Sequence, residues 1–109
     1  MRHKTMKERE LEKLALLEWQ PENNWIYWFP KKQEFLRFDI FGAFDFLALN
    51  KKSGVVHFVQ ITTTPNRSAR RKKIQEWIDE NWETGEQRGH FWLWAWDKKE
   101  ARFKKECFT

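Results

Sequence analysis

Between Arg37 and Thr64 the chain reads R-F-D-I-F-G-A-F-D-F-L-A-L-N-K-K-S-G-V-V-H-F-V-Q-I-T-T-T, and two polar residues interrupt its apolar runs, Asp45 and Gln60. Phe44-Asp45-Phe46-Leu47-Ala48-Leu49 is short and rich in aromatics, which predicts a buried strand that has accepted a carboxylate. A carboxylate in such surroundings must be paired, neutralised or bound to a metal ion. Ser53-Gly54 marks a turn, and Val55 to Thr62, with β-branched residues throughout, predicts the second strand of a hairpin. Pairing the two strands brings Asp45 and Gln60 into one neighbourhood.

The elements that must hold this hairpin read as α-β-β-β-α-β. Leu11, Leu14, Ala15 and Leu17 recur at helical spacing within about Lys4 to Trp19, among strong helix formers, and Pro21 stops the segment. Trp25 to Phe29 is a short aromatic strand closed by Pro30, and the polar Lys31 to Glu34 segment makes a loop. Thr64-Pro65 has the form of an N-cap followed by proline at the first helical position, with Asn66 as the alternative cap. Ile74, Trp77, Ile78 and Trp82 then define the packed face of a second helix running to about Trp82. Gly85 and Gly89 open a turn, and His90 to Trp96 is a last strand with Trp92, Trp94 and Trp96 on one face. No repeat, linker or low-complexity tract divides the chain, so residues 1–109 read as one domain of α/β (α+β) class.

Composition bounds the function. A chain of 109 residues can close one core without disulfides or structural metal, and eight Trp with ten Phe make that core aromatic. The single cysteine, Cys107, excludes an intrachain disulfide framework and a cysteine-rich zinc site. His3 and His90 have no second histidine or cysteine at metal spacing, which argues against zinc. No run approaches the ~18 apolar residues of a membrane span, so no membrane partner is expected. Met1 to Lys7 lacks the apolar stretch of a signal peptide, and an intracellular location is expected.

The net charge of +5 is a weak cue to a polyanionic partner, and its distribution says more. Arg67, Arg70, Arg71, Lys72 and Lys73 place five cations within seven residues. Lys98, Lys99, Arg102, Lys104 and Lys105 form a second group, which alone reads equally as a charged tail. Two such groups bracketing a buried acid point to nucleic acid.

The helix start Lys7-Glu8-Arg9-Glu10-Leu11, the Gly42-x-x-Asp45 strand and the Gln60-x-Thr62 strand, followed by a basic helix, resemble the PD-(D/E)XK nuclease superfamily. Within it the likeness is to small archaeal and phage Holliday-junction-resolvase-like proteins. The resemblance spans about residues 7 to 78 and lies in order and spacing. It departs at Thr62, where the family carries lysine, and at Gln60, where glutamate is more common. It implies a restriction-endonuclease-like αβββαβ core, a mixed central sheet flanked by helices, and a metal-dependent DNA endonuclease that hydrolyses phosphodiester bonds, on branched or structured DNA.

Phosphodiester hydrolysis needs a water made nucleophilic near neutral pH and compensation for transition-state charge, and Mg²⁺ (or Mn²⁺) can supply both. Magnesium takes hard oxygen ligands and keeps several waters. The resemblance assigns it Asp45, the amide oxygen of Gln60 and the backbone carbonyl of Ile61, with Glu8 acting through water. Gln60 in place of glutamate keeps an oxygen and removes a negative charge, which lowers metal affinity. Glu8 and Glu10 both flank the apolar face of the first helix. The family pattern favours Glu8, whereas helix-dipole stabilisation would account for either acid.

Thr62 cannot replace the ammonium that orients the nucleophile in the family, so catalysis would require a cation from elsewhere. Lys73 and Arg70 on the following helix are the candidates, and Arg67 to Lys73 would hold the phosphate backbone. His57 reads as a hydrogen-bonded core or sheet-face histidine rather than a ligand, and Asp39 as a second acid of the D-I-F-G loop or, more commonly for Asp before a tight Gly turn, a local backbone hydrogen-bonding device. Packing within a half-buried strand accounts for Trp92, Trp94 and Trp96 better than base stacking does. Two functions remain open: a magnesium-dependent endodeoxyribonuclease, and a catalytically inactive nucleic-acid-binding protein of the same fold. A homodimer is expected for an enzyme of this kind cutting two strands.

Overall fold

The computed structural model describes residues 6–19, 24–30, 39–82 and 89–108, the side chains of 6–8 excepted. Among the described residues five strands form one sheet in sequence order: β1 (Trp25–Trp28), β2 (Phe46–Asn50), β3 (Val56–Thr63), β4 (Gly89–Asp97) and β5 (Arg102–Cys107). Neighbours are antiparallel except β3 and β4, which run parallel through the crossover helix α2 (Arg67–Asn81). A single 3₁₀ turn, Thr64–Asn66, leads into α2, and α1 (Met6–Trp19) precedes the sheet. The result is an α+β fold with a mixed sheet and two helices among the described residues. The Lys31 to Glu34 loop, Pro21, Gly85 and His3 lie outside them.

Strand alternation splits the core into two layers. Phe46, Ala48, Val59, Trp94 and Phe103 face α1, where Leu11, Ala15 and Trp19 pack against them. Phe44, Phe91 and Leu93 face the other way and meet Ile74 and Ile78 of α2. The aromatic richness of the sequence is spent here: Phe44, Phe46 and Phe91 have no exposure, each contributing about 1.5–3 kcal/mol relative to an exposed ring.

Two expectations are corrected. The packed face of α1 is not Leu11, Leu14, Ala15 and Leu17, because Leu14 and Leu17 are 41% and 71% exposed. Leu11, Glu12, Ala15, Leu16 and Trp19 face inward instead, a stripe that tolerates one acid. The second basic group is not a tail: Arg102 to Cys107 is the edge strand β5, paired to β4 from Trp92↔Cys107 to Asp97↔Arg102. It hid because Phe103 is its one large apolar side chain. The next inward position, Lys105, lays its ammonium 4.5 Å from the centroid of Trp94 and pairs with Glu18 of α1. A charged edge also discourages pairing with another chain.

The hairpin carrying Asp45 and Gln60 is pinned at both ends. At the β2–β3 turn Asn50 Oδ1 accepts the Lys52 and Ser53 N–H groups, each at 3.0 Å, and Gly54 adopts φ +73°. Before β2, Ile40 and Phe44 bridge around a turn whose Phe41 and Gly42 both have positive φ, 55° and 71°. Phe41 bears that conformation while its ring stacks on Trp77 of α2, 4.9 Å between centroids and 15° between planes.

At the opposite end of the sheet His57 sits within an aromatic cluster. Trp92 Nε1 donates to His57 Nδ1 at 2.9 Å, and the Trp19 and Trp25 rings lie 5.3 Å from the imidazole. Burial, and then the charge of His90 beside it, lower the His57 pKa to about 4. Below about pH 6.5 the unfolded chain takes up a proton that the folded ring refuses until about pH 4. Stability is therefore full above the unfolded value and is lost as pH falls through that window. Because the ring is only partly buried, screening limits the loss to about 1 kcal/mol. Thermal melts at pH 7.5 and 5 are expected to show a smaller drop for His57→Gln than for the native chain; equal drops would exclude this origin.

Candidate active site

Extending the β2–β3 register one step beyond Phe46↔Val59 sets Asp45 opposite Gln60, so the two polar residues do share a neighbourhood. The Asp45 N–H donates to the Val59 carbonyl at 2.7 Å, which carries the ladder up to that step. Its carboxylate turns onto the neighbouring strand, where Asp45 Oδ2 accepts the Ile61 N–H at 2.7 Å. Gln60 Nε2 donates to the Ile61 carbonyl at 3.1 Å. Asp45, Gln60 and the Ile61 peptide thus form one hydrogen-bonded unit. A carboxylate has about four lone-pair positions and a carbonyl two, so each can accept from more than one partner.

Glu12, Asp45, Gln60 and Thr62 are the buried polar or charged side chains among the described residues. All four line one cavity of about 150 Å³. Buried polar groups are costly unless satisfied, and Asp45 and Gln60 are held by hydrogen bonds to the Ile61 peptide at the wall of this cavity. The volume admits a small hydrated ion. Leu11 and Ile61 supply apolar wall, and Asp39, Asn66 and Arg70 complete the rim.

The acid that α1 contributes to the cavity is Glu12, which sequence reasoning passed over. Its spacing to Ala15, Leu16 and Trp19 (i+3, i+4, i+7) was the available signal, obscured by placing Leu14 and Leu17 on the inner face. Glu10 is exposed. Glu8 lies one turn before Glu12 on α1, and its side chain is outside the described residues.

On α2, Arg70 lies one turn before the buried Ile74 and reaches the cavity, whereas Lys73 and Lys72 are exposed and do not line it. Arg67 and Arg71 are committed elsewhere. Both meet Glu106 of β5, Arg67 at 3.3 Å and Arg71 through its Nε at 2.9 Å to each carboxylate oxygen. Partial burial pushes the Glu106 carboxyl up, but the hydrogen bond and charge of Arg71, followed by those of Arg67, together hold it below its ordinary value. The first turn of α2 carries no acid, and its cap residue Asn66 makes no side-chain capping bond. Arg70 is therefore a cation at a helix end that already favours anions.

The donor set suits a hard cation. Among the described residues no three His, Cys, Asp or Glu side chains converge as a metal-binding group. Magnesium, unlike zinc, is commonly held by one or two carboxylates with carbonyl oxygens and water, and the oxygens of Asp45, Gln60 and Ile61 fit that pattern. Thr62 is 8% exposed and lines the same cavity. No helix of the described residues is long and apolar enough to cross a membrane. Compared with family models, curated proteins and solved structures, the chain has no match.

Proposed function

We propose that the chain is a Mg²⁺- or Mn²⁺-dependent DNA endonuclease with a restriction-endonuclease-like core, acting on branched or structured DNA inside the cell. The observation that carries this reading is the convergence of Glu12, Asp45, Gln60 and Thr62 on one cavity with Arg70 at its rim. Asp45, Gln60 Oε1 and the Ile61 carbonyl would hold the cation, with Glu12 or Glu8 reaching it through water. The ion supplies Lewis-acid charge and a water deprotonated near neutral pH. Asp45 is kept in position by the Ile61 N–H, and Gln60 by the Ile61 carbonyl. Arg70 draws a phosphate toward the cavity mouth and offsets charge as it builds on the phosphoryl oxygens. Lys72 and Lys73, exposed on the same helix, attract the flanking backbone.

A second reading, a DNA-binding protein of the same fold without catalysis, is favoured by Thr62 at the lysine position and by the neutral Gln60. Cleavage assays on branched, duplex and single-stranded DNA separate the two. Metal-dependent product that disappears with EDTA supports the nuclease, and binding without product on any substrate supports the second reading.

The exposed side of edge strand β1 presents Ile26 and Trp28, 51% and 53% exposed. That apolar strip is where a homodimer would close. Sedimentation is expected to give a dimer at micromolar concentration that Trp28→Lys converts to monomer; a native monomer would discard the dimer.

A further inference from the structure

Thr63 has a place in two depressions. It lines the acid cavity, and it also lines an open groove of about 730 Å³ formed with Trp96, Asp97, Lys98, Lys99 and Lys104. The groove therefore leads away from the acid cavity along the end of β3 and over the β4–β5 hairpin. Its floor is built rather than accidental. Trp96 stands directly opposite Phe103 across the ladder, and the two rings meet edge to face at 5.0 Å and 70°. The indole is thus held while remaining half buried at the groove surface.

The charges around it are also ordered. Asp97 Oδ1 accepts the Lys99 and Glu100 N–H groups at 2.9 and 3.2 Å, and Ala101 closes the turn with φ 51°. Asp97 Oδ2 pairs with Lys104 at 3.0 Å, which offsets one of the three lysines. Lys98 and Lys99 are exposed at the turn. A fixed aromatic plane rimmed by surplus cations matches a ligand that has flat apolar groups strung on an anionic chain. Duplex DNA has its bases covered, and an acidic peptide offers charge without the planes. Single-stranded DNA offers both.

We infer that the groove around Trp96 is a binding platform for single-stranded DNA, with an unpaired base stacked on the indole and flanking phosphates met by Lys98 and Lys99. The choice of DNA as occupant rests on the nuclease reading. The platform places the unpaired strand next to the acid cavity through Thr63, as a cut near a branch or flap requires.

The test uses the full chain carrying Asp45→Asn, without divalent metal, and labelled oligothymidylate read by fluorescence anisotropy. Trp96→Ala is expected to weaken binding at least about fivefold, the smallest loss for one stacked base, while affinity for duplex changes less than about twofold. Because Trp96 also packs on Phe103, a second variant leaves the core untouched: Lys98→Glu with Lys99→Glu is expected to weaken oligothymidylate binding and flatten its salt dependence. An iodouridine-substituted oligonucleotide is expected to photocrosslink at Trp96. Unchanged affinity in both variants, crosslinks confined to other residues, or equal competition by polyglutamate would each overturn the platform. Cleavage by the native chain is scored separately. Loss of the nuclease reading with Trp96-dependent binding intact leaves the platform standing, and cleavage with Trp96-independent binding removes the platform alone.

Discussion

Asp45→Asn is expected to lower Mg²⁺-dependent cleavage by about a hundredfold or more, the scale on which one directly acting polar group counts, while leaving fold and DNA affinity in place. The substitution keeps an oxygen where Asp45 Oδ2 now accepts the Ile61 N–H at 2.7 Å, so the β2–β3 connection keeps its hydrogen bond. What it removes is the negative charge that a cation in the cavity would need. Asp45→Ala separates the roles. It removes the acceptor as well, leaving the Ile61 N–H unpaired, at a cost of about 1–3 kcal/mol and a melting temperature lower by about 4 °C or more. A chain in which Asp45→Asn cleaved at the native rate would end the metal-site reading of Asp45. Metal dependence supplies a second readout: EDTA is expected to abolish native cleavage, and raised Mg²⁺ to restore part of the activity of Glu12→Gln but none of Asp45→Asn.

The hairpin was legible because its signal is local. Alternation, β-branched residues and Ser53-Gly54 place both strands, and pairing then sets Asp45 against Gln60 whatever the rest of the chain does. The predicted strand in Trp25 to Phe29, the α2 face through Ile74 and Ile78, and the shared face of Trp92, Trp94 and Trp96 follow from the same short-range periods. The two misread elements depend on partners distant in sequence. Glu12 is on the inner face of α1 at helical spacing to Ala15, Leu16 and Trp19, but that stripe competes with one through the exposed Leu14 and Leu17 until the sheet and its polar cavity are known. Arg102 to Cys107 became a strand because β4 offers an edge to pair with and the Trp94 ring accepts the Lys105 ammonium, both invisible in a run of charges. Cation placement failed in the same way. Five cations in one segment look interchangeable, yet Glu106 of the unforeseen β5 occupies Arg67 and Arg71 and leaves Arg70 at the cavity.

That division of labour on α2 makes Arg70→Ala the second substitution of large expected effect, again about a hundredfold in rate at saturating DNA. Lys73→Ala is expected to act differently. An exposed cation meeting only backbone phosphate changes apparent affinity and lowers the salt slope by about one, with the saturated rate nearly native. The split between rate and affinity therefore distinguishes a group at the reacting phosphate from one that holds DNA. Thr62→Lys offers the converse test. Thr62 lines the same cavity as Arg70, beside the acids Glu12 and Asp45, so a lysine there has carboxylates to offset its buried charge. If Arg70 supplies the cation that Thr62 cannot, then Thr62→Lys is expected to recover much of the activity lost in Arg70→Ala, and to add little to the native chain. Native cleavage by Arg70→Ala alongside loss in Asp45→Asn would remove Arg70 from the chemistry, and a hundredfold rate loss in Lys73→Ala would move the role to Lys73.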